Sequence, residues 1–440
     1  MDDRLKILYI SHYFPPEANA PAVRVSEMAQ RWAESGADVT ILTCFPNHPT
    51  GIIPKEYRGL LRSREKRGRI NVVRTYVYAA ANRGFLKRIM NFLSFMLSAI
   101  ILGTPVIGKP DIIIATSPQF FVAVVGYVIS RIKRCKFVFE IRDLWPEEIV
   151  AVGVLKNKLA IKILEAIEMF LYRQADQIVA VAEGTIEILK RRGIPASKMA
   201  FVPNGVDISL FNGCTGGDTV RDELGLTGKF VAGYIGTHGM AHRLSTVLEA
   251  AALLRERDNI RFLFVGDGAE KESLMRQARE MELNNVIFHP QTPRSRIVDF
   301  YAACDVCLVP LKKAELFTKN IPSKIYEIMA SSRPIIISTE GESRRLVELS
   351  GAGLGSPPED QRGLAKKILC LSSDSDLCRE MGQNGFAFVL ANSSRNRLAD
   401  SYLSLLQKTV GENKALDQLR TNRISEKAEK ISRGKESVSV

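Results

Sequence analysis

The chain lacks several things that would fix its class at once. It has no paired cysteine framework: its seven cysteines are an odd number, scattered through apolar runs, which excludes a disulfide scaffold and fits a reduced, cytoplasmic compartment. It has no H-x-x-E-H set and no second cysteine pair to join Cys304 and Cys307, so a zinc site is not expected and core packing is the plainer role for those two. The only Asp-x-Asp, Asp374-Ser-Asp376, lies in a polar stretch far from any strand end, so a metal-held diphosphate is not expected either. G-x-G-x-x-G is missing, which excludes dehydrogenase-style dinucleotide binding; Gly266-Asp-Gly268 is a weak substitute. The apolar stretch Ile7 to Ile10 is too short for the core of a signal peptide, and none is expected.

What is present is a basic chain of 440 residues with net charge +13, long enough for two domains. The positive charge is concentrated: Lys55 to Arg88 carries eleven Lys or Arg against Glu56 and Glu65. That cluster runs into Ile89 to Gly108, twenty residues without a formal charge, a juxtaposition that favours an anionic membrane surface over nucleic acid. Three readings of 89–108 stay open: a helix buried in a domain, an interfacial helix beside the basic patch, or a membrane span interrupted by Asn91, Ser94, Ser98, Thr104 and Pro105.

Apolar runs of strand length alternate with amphipathic helical patterns. Strands are expected at Lys6–Ile10, Asp38–Cys44, Asp111–Thr116, Lys136–Ile141, Gln177–Val181 and Met199–Val202. After a Gly-rich loop they resume at Lys229–Tyr234, Arg261–Val265, Asn285–Phe288, Val306–Val309 and Pro334–Ser338. Such alternation predicts α/β architecture, with two Rossmann-like domains of parallel strands over residues 1–210 and 211–391. A helical pattern over 392–410 follows, and 411–440 reads as a charged, disordered tail. Ligands of open α/β sheets sit at the carboxyl ends of strands, so the expected site is the cleft between the two sheet edges.

Five segments after strand ends carry candidate chemistry. Ser11 to Arg24 contributes His12 and Asn19; Phe45-Pro-Asn-His-Pro-Thr-Gly51 contributes Asn47 and His48, which could hydrogen-bond a sugar or simply face solvent. Glu140-Ile-Arg-Asp-Leu-Trp-Pro-Glu-Glu148 contributes Arg142, Asp143 and Glu147. Arg142 is always protonated and so can stabilise charge without acting as a base; a buried Arg142–Asp143 structural pair is the alternative. Gly236-Thr-His-Gly-Met-Ala-His-Arg243 contributes Gly236 and Arg243. The fifth is Asn320-Ile-Pro-Ser-Lys-Ile-Tyr-Glu327, in which Lys324 and Glu327 share a helical face. The ammonium suits diphosphate oxygens and the carboxylate suits ribose hydroxyls, although an exposed ion pair has the same spacing.

These segments, in this order, closely resemble the retaining glycosyltransferases of family four. The likeness extends over about residues 5 to 410, and the subgroup it is similar to transfers L-fucosamine in colanic-acid, O-antigen and capsule assembly. The resemblance implies the GT-B arrangement of two facing domains, with 392–410 crossing back onto the first. It implies a UDP-sugar donor such as UDP-FucNAc, a polyprenyl-diphosphate-linked saccharide acceptor and no cofactor or metal, while the basic patch running into 89–108 places the protein peripherally on the inner face of the cytoplasmic membrane. Arg142, Asp143 and Lys324 are the catalytic candidates. Asn19, Gly236, Arg243, Gln291, Thr292, Asn320, Ile321, Pro322, Ser323, Lys324 and Glu327 fall to the donor, with uracil on the backbone near Gln291. His12, Asn47, His48 and Glu147 fall to the acceptor.

The chain departs from the wider family at Arg142 (a His there), at Thr237 and His242 (an Arg and a Lys) and at Lys319 (a Glu). Those departures leave room for two other readings: a sugar-nucleotide epimerase on the same plan, or a nucleotide-sugar-binding regulator without catalysis.

Overall fold

A computed structural model describes residues 4–17, 19–80, 85–151, 153, 155–211, 216–319 and 321–411. Two separate sheets are built. The first contains β1 (Lys6–Ile10), β2 (Asp38–Cys44), β3 (Arg62–Arg67), β4 (Ile70–Thr75), β5 (Ile112–Thr116), β6 (Lys136–Ile141), β7 (Gln177–Ala180) and β8 (Met199–Phe201). Their spatial order is β3-β4-β2-β1-β5-β6-β7-β8, parallel throughout except for the β3–β4 hairpin. The second contains β9 (Phe230–Ile235), β10 (Ile260–Val265), β11 (Val286–His289), β12 (Val306–Pro310), β13 (Ile335–Ser338) and β14 (Gly353–Ser356). It is wholly parallel in the order β11-β10-β9-β12-β13-β14, the doubly wound arrangement.

The near-continuous apolar strands are buried because helices cover both faces of each sheet. On the first sheet, helices Phe85–Ser98, Phe121–Lys133 and Lys158–Gln174 lie on one side with Phe95, Val125 and Leu171 in the core. Helix Ala20–Glu34 covers the other side, joined by the helix over 395–411. The indole Nε1 of Trp32 donates to Ala399 O at 2.9 Å, and Arg31 pairs with Asp400 at 2.9 Å. Two chain crossings between the sheets run side by side: Val206 N donates to Ser393 O and Arg395 N to Val206 O, both at 3.0 Å.

One element was absent from the sequence expectation, and one was left open by it. The basic segment forms an edge hairpin, β3–β4, whose outer strand exposes arginines as edge strands commonly do. The uncharged segment 89–108 is a helix to Ser98 continued by a π-turn, Ala99–Gly103, with Phe92, Phe95 and Ala99 in the core. Its outer face leaves Met90, Leu97 and Ile101 exposed. Among the described residues no helix is long and apolar enough to cross a membrane. The expected tail from 412 onward, and Asn320, lie outside the described residues.

Candidate active site

In each sheet the strand order reverses at one point, between β1 and β5 in the first and between β9 and β12 in the second. Segments leaving the carboxyl ends of these and neighbouring strands line one cavity of about 370 Å³ shared by both domains.

In the second domain, Lys324 opens the helix Lys324–Ala330 and sets its Nζ 3.8 Å from the centre of the Tyr234 ring. The ammonium is buried with no hydrogen-bond partner among the described residues. Burial draws its pKa down to about 7, although Glu327 nearby favours the charge. Tyr234 is held by its own hydroxyl, which donates to Thr237 O at 2.6 Å. Gly236 adopts φ 143°, a conformation that residues with side chains rarely take, and a Cβ there would push aside the Lys324 nitrogen, 2.6 Å away. Glu327, one turn on, accepts from the Tyr301 hydroxyl at 3.0 Å and lines the same wall with Ile321, Pro322 and Ser323.

Gly266 and Gly268 let the loop after β10 pass over the loop after β9, since a Cβ on Gly266 would lie 2.0 Å from Gly236 O. Gln291 and Thr292 complete this half. His242 also lines it, and burial followed by the Lys324 charge lowers its pKa to about 3, so it is neutral near pH 7. Arg243 does not reach the cavity. It closes the turn Met240–His242 in a left-handed conformation, φ 47°, which sends its side chain outward to within 3.9 Å of Glu359. The expectation that Arg243 would hold a diphosphate is corrected accordingly.

In the first domain Arg142, Asp143, Asn19 and His48 all line the cavity. Ser117 Oγ accepts from Arg142 N at 2.7 Å and from Asp143 N at 3.2 Å, fixing the loop after β6. The buried pair of this segment is Arg24 with Glu140, 3.1 Å apart, rather than Arg142 with Asp143. Glu140 also accepts from Tyr9 and Thr116 at 2.8 and 2.7 Å, which spends its capacity. Arg142 is left with Nε and Nη1 unpartnered among the described residues. Asn19 caps its helix, accepting from Ala22 N at 3.0 Å.

Three expected contacts fall behind the wall. His12 is 2% exposed, edge-on to Phe92 and Phe95 at 5.2 Å, and burial lowers its pKa to about 3. Asn47 donates to Phe45 O and accepts from Asn91, both at 3.0 Å, bracing its loop. Glu147 points away and pairs with Arg192; its neighbour Glu148 lines the cavity instead.

Glu17 was not singled out by sequence. Burial raises its pKa to about 7 while it accepts from the main-chain N–H groups of Asn47 at 3.0 Å and His48 at 2.8 Å, so it carries the loop that presents His48. Its only signal was a carboxylate among apolar residues of the first loop.

Residues 19–205 match the family described as glycosyl transferase 4-like domain, and residues 218–388 match glycosyl transferases group 1. The chain is 28% identical over 267 residues to "Probable glycosyltransferase WbjE" of Pseudomonas aeruginosa, a match over 57% of this chain and 65% of that protein. It is 26% identical over 254 residues to D-inositol 3-phosphate glycosyltransferase of Nocardia farcinica, over 54% of each chain. The chain thus spans about half to two thirds of the length of these relatives. In fold it is similar to sucrose-phosphate synthase of Thermosynechococcus elongatus, with TM-score 0.72 and 19% identity over 93% of this chain and 100% of that one. Anabaena HepE in complex with UDP and glucose gives TM-score 0.69 and 18% identity over 92% and 100%.

Proposed function

The chain belongs to the group 1 glycosyltransferases of GT-B fold, and from that premise we propose that it moves a sugar from a UDP-sugar to a lipid-linked saccharide with retention of configuration. The observation that carries this reading is the buried Lys324 ammonium, without a hydrogen-bond partner among the described residues, in the same cavity as Arg142 and Asp143 of the opposite domain. A diphosphate on Lys324 supplies the missing anion, Glu327 accepts from the ribose hydroxyls, and uracil rests against Gln291 and Thr292. HepE and trehalose-6-phosphate synthase, which share the fold, were solved with UDP or a UDP-sugar, and this supports the choice of base.

The chemistry asks little of a base. The leaving diphosphate oxygen takes the proton of the attacking hydroxyl on the same face, while Asp143 orients that hydroxyl and Arg142 spreads the developing negative charge. Neutral His242 next to Lys324 leaves the lysine as the cation nearest the donor phosphates. Closure of the two domains excludes water, which strengthens each of these contacts.

The acceptor enters from the first domain, and we place that domain on the cytoplasmic leaflet. Met90, Leu97 and Ile101 on one helix and Leu159, Ile163 and Phe170 on another are exposed on the same side of the first sheet, with Lys87, Lys158 and Lys162 among them. FucNAc is the first donor sugar to test, in keeping with the likeness of the Arg142 segment to L-fucosamine transferases. UDP or GDP release from a panel of sugar nucleotides, with and without membrane lipid extract, tests the assignment. A transferase releases UDP faster when extract is added. An epimerase changes the sugar without needing lipid, and a regulator binds without turnover; either result removes the proposal.

A further inference from the structure

Two adjacent carboxylates open the short helix Glu147–Ala151, and they have different surroundings. Glu147 is tied off by Arg192, whose Nη1 also meets Glu168 at 3.2 Å; the Tyr172 hydroxyl donates to the same Glu168. Three elements are bound together by this cluster: the short helix, Lys158–Gln174 and the end of Glu183–Arg191. Glu148 is turned the other way. Its N–H is fixed to Leu144 O at 2.9 Å, and its side chain lines the cavity beside Asp143 and Arg142.

The polar capacity here is unspent. Arg142 is only 9% exposed, yet its Nε and Nη1 have no partner among the described residues. Neither carboxyl of Asp143 or Glu148 engages a hydrogen bond among those residues. Buried polar groups of folded proteins are ordinarily paired, so the unpartnered Arg142 guanidinium, beside two half-buried carboxyls in one cavity wall, implies a ligand that completes it. Burial, with the Asp143 charge added, pushes the Glu148 carboxyl well above its usual range. The two carboxyls can therefore offer a donor as well as acceptors.

We propose that Glu148 is a further acceptor-recognising residue. With Arg142 it binds the hydroxyl or acylamino group next to the attacking hydroxyl, which Asp143 holds, and the Glu147–Arg192–Glu168 cluster keeps it aimed. This rests on the transferase reading above. Selectivity follows from the same contact: an acceptor sugar lacking the neighbouring polar group leaves Glu148 and Arg142 unpaired in a dry wall and is rejected.

The test compares wild type with Glu148→Leu and Glu148→Asp, using whichever UDP-sugar the panel shows to be turned over and membrane lipid extract as acceptor. Thermal midpoints and UDP binding of each preparation establish that the fold and donor site are retained. Glu148→Leu, which removes donor and acceptor alike, is expected to raise the half-saturating amount of extract by about ten- to a hundredfold, the cost of leaving the acceptor's polar group and Arg142 unpaired. The donor KM should stay within about twofold, and Glu148→Asp should recover part of the loss. An unchanged extract dependence in Glu148→Leu overturns the assignment, and so does a donor KM that rises in step. Should wild type itself release no UDP faster with extract, it is the transferase reading that fails, and this inference goes with it.

Discussion

Lys324 provides a test whose magnitude can be worked from its surroundings. Burial lowers its pKa from 10.5 to about 7, which at about 1.4 kcal/mol per unit disfavours the ammonium by about 5 kcal/mol in the empty cleft. At pH 8 roughly one molecule in ten is then charged. A donor diphosphate in contact with Nζ restores the charge, so binding at pH 8 should take up about 0.9 proton, against about 0.1 at pH 6. Donor affinity is accordingly full below pH 7 and falls by about tenfold per pH unit above it.

Linkage to folding has the opposite sense: the unfolded chain keeps this proton up to pH 10.5 and the empty folded protein only up to about 7. Its stability therefore rises with pH across that window as far as this residue decides it. His238 and His242, lowered by burial to about 4 and 3, stay neutral in the empty cleft throughout and do not mimic the effect. Calorimetric titration with UDP-glucose, which has no group of its own titrating between pH 6 and 8, in two buffers of unlike ionisation enthalpy reads the proton count. Lys324→Met should abolish the uptake and weaken binding, while the empty variant becomes more stable. Heats independent of buffer at pH 8, or the same uptake in Lys324→Met, would show that Lys324 is not the group that takes up the proton.

Four further outcomes are expected. Glu327→Ala should lower kcat/KM for the donor by about 2 to 4 kcal/mol of transition-state binding, seen in steady-state kinetics. Turnover should persist in EDTA; loss restored by Mg²⁺ or Mn²⁺ would show that a metal holds the diphosphate. Glu140→Leu leaves Arg24 buried without its carboxylate and should cost about 3 to 5 kcal/mol in urea unfolding. Flotation with anionic vesicles at low salt should carry the protein upward, weakened by neutralising Arg62, Arg64, Lys66, Arg67 and Arg69 and partly reversed by salt; a protein left in the soluble fraction contradicts the membrane assignment.

The strand series was readable because a parallel sheet covered on both faces demands runs such as Ile112–Thr116 and Ile335–Ser338, buried at every position. The hairpin β3–β4 escaped because Arg62–Arg67 has no buried face to generate alternation. β14 escaped because two of its four residues are glycine. Lys324 and Glu327 were visible as a pair three apart on one helix.

Arg243 could not be placed from sequence, since a single left-handed residue decides its direction. Nor could Glu147 be told from Glu148. Consecutive helical side chains diverge by about 100°, and the choice between them is made by Arg192, 45 residues away. His12 and Asn47 were absorbed by Phe92, Phe95 and Asn91, from the helix whose place in the fold the sequence left open.

A crystal structure of the protein with UDP bound tests the central claim most directly. Uracil is expected against Gln291 and Thr292, ribose hydroxyls on Glu327, and a diphosphate oxygen within hydrogen-bond distance of Lys324 Nζ in the cavity shared by the two domains. UDP density elsewhere, or a diphosphate held by Arg243 with Lys324 still seated on Tyr234, would contradict it.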